Sequence, residues 1–421
     1  MSRSIFTVAV GNLALPLAAF ATAPIIAHSL GVSGRGEVAA GTSLLLLLSA
    51  VGTLGLTDAA TYFIASRLAR PGVVVLRVSF YLLATGVLLT VVNYLAAPWV
   101  AGGDTELTVV IRLAGFAIAP TLVIGAFRGA AQASHRWGVI NAEKYVTATF
   151  RIVPLIVLLW MGLLTPITAV MTLAWTPVLG GLAYLALLRS GDANFVPRRR
   201  GRPRLLRYGL GVWIGSLSGI LLSRLDQAVM TPLAGVYELG LYAVAVNLTD
   251  LVLITQSALG QVLFAADARE RNDERMYLGS RLSVMVTLVS SITIAAPIYL
   301  WISLLFGSAF LPAIPAVLLL LLANIAGAPG SVAGTATSAR GYPIFRSTSI
   351  LVAAIVNVIL VFLLTPTLGA MGAAAATLAG NVVASGMNVY FAHVRFGMSV
   401  RKLCLPRLSD LQALLTAIKN R

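Results

Sequence analysis

One cysteine, three histidines and fourteen acidic residues are all that this 421-residue chain offers to several kinds of chemistry. Cys404, being alone, excludes an internal disulfide and any cysteine-based metal cluster. His28, His135 and His393 are scattered over different segments, and no HExxH, CxxC, nucleophile elbow or nucleotide-binding loop is present. The sequence therefore predicts no enzyme, no metal site and no bound cofactor. Any energy for work must come from an ion gradient, a substrate gradient or the membrane potential. Charged residues are also scarce, at 10% of the chain against 58% hydrophobic. A soluble protein of that make-up could not cover its surface, so a bilayer must be the solvent for most of it.

What is present is a series of long apolar runs. A helix needs ~20 mostly apolar residues to cross a bilayer. Twelve segments qualify, at about 5–28, 38–63, 78–98, 109–129, 146–163, 168–188, 208–230, 239–264, 282–305, 313–335, 348–366 and 370–394. The first is longer than the apolar part of a signal peptide, so it is expected to be an uncleaved span. The net charge of +16 does not point to nucleic acid. With the amino terminus inside, every Lys and Arg except Arg35, Arg112 and Arg224 falls on an inner segment. That bias predicts cytoplasmic termini. The outer loops are too short to hold a catalytic domain.

The expected fold is an all-α polytopic membrane protein, with about twelve transmembrane helices in two six-helix lobes related by a parallel repeat. The halves share three short matches in the same order: LGVSGRG (30–36) with AGVYELG (234–240), GAAQAS (129–134) with GTATSA (334–339), and LLTP at 163–166 and 363–366. Six spans per half give both halves one orientation, the design of transporters whose lobes rock around a central site. The predicted organisation is an amino-terminal lobe over 1–194, a basic cytoplasmic linker over 195–207, a carboxy-terminal lobe over 208–397 and a basic amphipathic tail over 398–421. The linker cations either set topology or rest on anionic lipid headgroups.

Several residues stand out against this background. Arg224 and Asp226 lie inside the seventh span, where an ionised group costs several kcal/mol on insertion scales. Arg224 is either a phosphate contact in a cavity between lobes or a snorkelling or ion-paired side chain, with Asp250 a candidate partner. Asp226, two residues on, points elsewhere and needs a cation or a proton of its own. Asp250 near the middle of the eighth span and Asp58 toward the inner end of the second are candidates for a coupling proton or sodium ion, or for packing hydrogen bonds. Arg128 and Arg151, placed at the inner ends of the fourth and fifth spans, form either a basic mouth for an anionic headgroup or ordinary topology charge. Pro16 and Pro24 interrupt the first span and predict a kink, static or gating.

The segments at 30–67, 224–245, 299–313 and 356–381 carry a resemblance. They read LGVSGRGEVAAGTSLLLLLSAVGTLGLTDAATYFIASR, RLDQAVMTPLAGVYELGLYAVA, YLWISLLFGSAFLPA and VNVILVFLLTPTLGAMGAAAATLAGN. In them the chain resembles the polysaccharide biosynthesis transporters, the Wzx-type lipid-linked oligosaccharide flippases of the MATE-like (MOP exporter) superfamily. The similarity runs over nearly the whole chain. It implies a flippase that moves an undecaprenyl-pyrophosphate-linked oligosaccharide to the outer leaflet of a bacterial plasma membrane by alternating access. Substrate contacts would fall to Arg224, Arg128, Arg151 and Asp226, and other polysaccharide-assembly proteins are candidate partners beside the membrane lipids. One departure is that Gln227 follows Asp226 where the family has a basic residue, with Arg224 preceding it instead. Lipid II flippases of the superfamily are longer, with fourteen spans. A proton- or sodium-coupled multidrug exporter on the same fold is the alternative, and a membrane glycosyltransferase or polymerase a more distant one.

Overall fold

In the computed structural model residues 2–185 and 204–405 are described, and among them the chain forms thirteen α-helices and no strand. They are α1 (Ser2–Gly52), α2 (Leu56–Ala65), α3 (Pro71–Val100), α4 (Thr105–Gly115), α5 (Ile118–Ala133), α6 (Trp137–Trp160), α7 (Pro166–Gly180), α8 (Leu205–Arg269), α9 (Asp273–Ala295), α10 (Ile298–Leu305), α11 (Ile314–Ala339), α12 (Pro343–Phe396) and α13 (Val400–Cys404). Of the predicted linker (195–207), residues 195–203 lie outside the described residues and 205–207 open α8; of the predicted tail (398–421), residues 406–421 lie outside them and 400–404 form α13.

Among the described residues eight stretches are long and apolar enough to cross a membrane. Three of them belong to α1, α8 and α12, of 51, 65 and 54 residues. At ~1.5 Å per residue each greatly exceeds a ~30 Å hydrocarbon core, so each must hold two spans. Each is broken at one glycine whose backbone leaves the helical region: Gly31 (φ 67°, ψ −169°), Gly235 (φ 89°, ψ 168°) and Gly369 (φ 55°, ψ −133°). Only glycine adopts such angles freely, so helix follows helix through a hairpin with almost no loop. Counting these doubled helices, and adding α6, the twelve expected spans are present. Large apolar side chains face outward along them: Trp160 is 88% exposed, Leu76 73% and Leu95 71%. In water that pattern would be a liability; in a bilayer it is the lipid-facing surface.

The chain divides into two compact units, Met1–Ala243 and Val244–Arg421. The first contains α1–α7 and the first part of α8. Two of its spans are interrupted. Between α1 and α2 the chain turns through Leu54 (φ 44°) and Gly55 (φ 65°), and between α4 and α5 it unwinds at Phe116–Ala117. The start of α8 packs on the α1–α2 break. A Cβ on Gly209 would press on the Leu54 carbonyl and one on Gly55 on the Gly209 carbonyl, and the Trp213 indole N–H donates to the Val51 carbonyl at 2.9 Å. The Tyr62 and Tyr208 rings stack at 4.4 Å. The two hairpin tips of the repeat also meet. A Cβ on Gly36 would overlap the Val236 carbonyl, and one on Gly240 the Val32 carbonyl. That exchange is reciprocal, as a two-fold relation between LGVSGRG and AGVYELG requires.

The second unit contains the rest of α8 and α9–α13. Its core joins Leu263 of α8, Met276 of α9, Val332 of α11 and Val389 of α12 with Met398 and Leu403. Gly330 and Ser385 bring α11 and α12 together, the Gly330 N–H donating to the serine hydroxyl at 3.0 Å. Small residues allow that approach where lipid supplies no hydrophobic drive.

Candidate substrate and ion sites

The site begins with a helix boundary. Hydropathy starts the fifth span near residue 146, but α6 starts at Trp137. Its first turns carry Asn141, Glu143 and Lys144, which depress hydropathy below that of a span. Glu143 is nevertheless buried, because it has partners. Arg128 of α5 grips it with two nitrogens, the Nε contact being 3.1 Å, and the Tyr184 hydroxyl donates to it as well. The expected basic mouth thus has one of its arginines held by a carboxylate that sequence reasoning left out. An acid flanked by Asn and Lys just ahead of an apolar run was the available signal.

Moving the start of α6 moves Arg151 too. It stands near mid-helix, about 21 Å from Trp137 at 1.5 Å per residue, rather than at the inner end of a span. Its Nε donates to the Thr22 hydroxyl of α1 at 3.1 Å, and that hydroxyl donates onward to the Ala18 carbonyl at 2.9 Å. Within electrostatic range lies Arg35, four residues past the Gly31 kink. The sequence places Arg35 in an outer loop. With no loop at Gly31 it is instead on a helix, buried, and its Nε has no hydrogen-bond partner. Glu37, Asp104 and Glu106 form an acidic group of their own toward this end, and none of them is bonded to Arg35. Among the described residues no carboxylate pairs with either arginine. Two guanidiniums held together without a counter-charge leave donors available for an anion.

Close by, Pro24, Ile25, His28 and Ser29 of α1 face Leu159, Gly162 and Leu164 across an open cleft of about 640 Å³. Pro16 and Pro24 both lie within α1, yet the backbone departs from helix only at Gly31.

Asp226 is buried in the first part of α8 and accepts from the Tyr242 hydroxyl and, at 2.7 Å, from the Gln227 N–H. Tyr242 lies on the returning arm of the same hairpin, so the Gly235 kink is what brings donor to acid. Arg224 is half-buried, about half a turn before Asp226 and so on a different side of the helix. Asp58 is exposed in the first turn of α2, just after the Leu54–Gly55 break. Asp250 lies half-buried in the second unit, beside a polar seam that hydropathy does not reveal. There Asn324 donates to the Thr249 carbonyl at 3.2 Å, and Gln256 donates to the Thr287 hydroxyl at 2.8 Å and the Asn324 carbonyl at 3.2 Å.

A second ionic cluster closes one end of that unit. Arg340 binds Asp267 through two nitrogens at 2.8 and 3.2 Å and reaches Asp273 at 2.8 Å. Burial opposes the Arg340 charge, but the two aspartates prevail and hold it above the ordinary arginine pKa.

A bundle of apolar helices with glycine hairpins, broken spans and buried, incompletely matched cations defines a membrane transporter. Solved structures with the same fold include an inward-facing multidrug resistance MATE family transporter of the MOP superfamily, at TM-score 0.69 and 17% identity, covering 94% of this chain and 98% of that one. The lipid II flippase MurJ in an inward closed conformation matches at TM-score 0.67 and 10% identity, over 98% and 92% of the two chains. A MOP superfamily transporter from Pyrococcus furiosus, described by the reverse polarity of its binding pocket, matches at 0.59 and 17%, over 95% of each. No curated protein sequence matches the chain. The family model for polysaccharide biosynthesis proteins matches residues 1–266. The chain belongs to that family, and it is a multi-pass membrane protein of the transporter and flippase type.

Proposed function

We propose that this protein is a flippase that carries an undecaprenyl-pyrophosphate-linked oligosaccharide from the cytoplasmic to the outer leaflet of a bacterial plasma membrane. It would serve cell-surface polysaccharide assembly, with both termini cytoplasmic as the arginine distribution favours. The observation that carries this reading is the buried Arg35 with the half-buried Arg151 within electrostatic range of it, neither paired with a carboxylate among the described residues. A pyrophosphate matches guanidinium donors bidentately and offsets their desolvation, whereas a cationic drug would meet repulsion there. Arg224, in the seventh span, is the third substrate contact. Asp250, beside the seam of Thr249, Gln256, Thr287 and Asn324, and Asp58 are the places for a coupling proton or sodium ion. That seam is also what favours the second reading, an ion-coupled exporter.

The test is native mass spectrometry of the purified chain together with surface polysaccharide in cells. A co-bound polyprenyl-phosphate glycolipid is the expected finding. Arg35→Ala with Arg151→Ala should abolish surface polysaccharide at normal expression, and Arg151→Lys should keep part of it, because the charge remains but the planar fork is lost. Arg224 should follow the same order. Full polysaccharide from the double alanine variant, together with drug export by vesicles, would replace the flippase by the exporter.

A further inference from the structure

A groove of about 730 Å³ lies where the first turns of α8 meet α3. Its lining is Leu76, Arg77, Phe80 and Tyr81 from α3 and residues 204–207 from the start of α8. Arg77, Arg204 and Arg207 are exposed, and none makes an ion pair among the described residues. Among the described residues no acid lines the groove. Beneath the arginines the surface turns apolar at once: Leu76 is 73% and Phe80 67% exposed, while Leu205 is buried and anchors the helix start. Three unmatched guanidiniums over an apolar wall, at the level where spans begin, match one kind of molecule in both halves. A phosphate would sit on the cations and an acyl chain would run along Phe80 and Leu76.

We propose that this groove is a binding site for an anionic phospholipid of the leaflet in which α3 and α8 begin. The charge complementarity is one-sided, and cations at a membrane surface are drawn to anionic headgroups. The three arginines sit on two helices, so a single headgroup ties α3 to the start of α8. The next residue after Arg207 is Tyr208, stacked on Tyr62 of α2, and the one after that is Gly209, packed against Gly55. The bound lipid therefore strengthens the contact that holds the start of α8 against the α1–α2 break. The site is separate from Arg35 and Arg151 and stands whatever the transported substrate is.

The experiment uses the full chain in detergent, titrated with dioleoyl phosphatidylglycerol, dioleoyl phosphatidylcholine or inorganic phosphate. Phosphatidylglycerol should raise the Tm by about 3–5 °C, phosphatidylcholine and inorganic phosphate by less than about 1 °C. Native mass spectrometry of the wild type in an equimolar mixture should retain phosphatidylglycerol at least about threefold over phosphatidylcholine; this measurement needs no variant to fold. Arg77→Gln with Arg207→Gln should lose both effects. Arg67→Gln with Arg70→Gln removes the same charge from the same unit outside the groove and should keep them. Equal loss in the two double variants, equal stabilisation by inorganic phosphate, or no lipid preference in the wild type would each overturn the proposal.

Discussion

At the scale of single residues, this protein keeps ionised groups in apolar surroundings by giving some a partner and leaving others without one. Arg128 and Glu143 are the matched case, and their exposures differ: the Glu143 side chain is 5% exposed and that of Arg128 39%. Deleting either is therefore not symmetrical. Arg128→Ala strands a buried carboxylate with only the Tyr184 hydroxyl, at a cost of about 3 kcal/mol or more. Glu143→Gln leaves an arginine that water can still reach and should cost about 1–2 kcal/mol. Arg128→Gln combined with Glu143→Gln should recover stability relative to Arg128→Ala, since neither charge is then stranded. Thermal unfolding of the purified variants reads the order; an Arg128→Ala variant as stable as wild type would remove the pair from the account. The existence of ionisable residues at 128, 151, 224, 226 and 250 was legible in the sequence. Their partners were not, because hydropathy averages over a window and hides a buried acid such as Glu143 or a polar seam such as Gln256–Asn324.

At the scale of elements, the informative glycines are the ones that turn a helix back on itself. The repeat of LGVSGRG and AGVYELG was visible in the sequence, and Gly31 and Gly235 occupy equivalent places in it with nearly equal backbone angles. What the sequence did not convey is how little loop there is. That is why Arg35, expected outside, lies on a helix, and why Arg151, expected at a span end, lies mid-helix. A Cβ on Gly235 meets nothing within 4 Å, so any cost of Gly235→Ala is conformational, about 1–3 kcal/mol. Gly386 in α12 also has open space around it but takes ordinary helical angles. Gly386→Ala should be neutral or stabilising by up to about 1 kcal/mol. Gly240→Ala adds a clash with the Val32 carbonyl and should be worse than either. Unfolding midpoints of the three variants in one detergent check the ranking, and a neutral Gly235→Ala would mean that the hairpin does not need the positive φ at Gly235.

At the scale of the whole molecule, the twelve spans, the repeat and the family were legible because apolar length and short repeated motifs survive without detail. The contacts between distant segments were not, because they join residues far apart in the chain. The clearest lies between α2 and the start of α8, where Tyr62 stacks on Tyr208, Phe63 meets the same ring edge-on at 5.9 Å, and Trp213 holds the Val51 carbonyl. Aromatic pairs of this kind contribute about 0.5–1.5 kcal/mol beyond their buried area, enough to bias a conformation and too little to lock one. If transport proceeds by alternating access, this contact must open in each cycle. Tyr62→Cys with Tyr208→Cys, in a Cys404→Ser background, places two thiols where the rings now stack. A short reducible thiol cross-linker should then stop surface polysaccharide assembly in cells, and reductant should restore it. Each single cysteine variant, treated identically, should remain active. Continued assembly with the cross-link complete would mean that α2 and α8 stay together throughout the cycle, and the moving contact would have to be sought at the Gly36–Val236 and Gly240–Val32 hairpin tips instead.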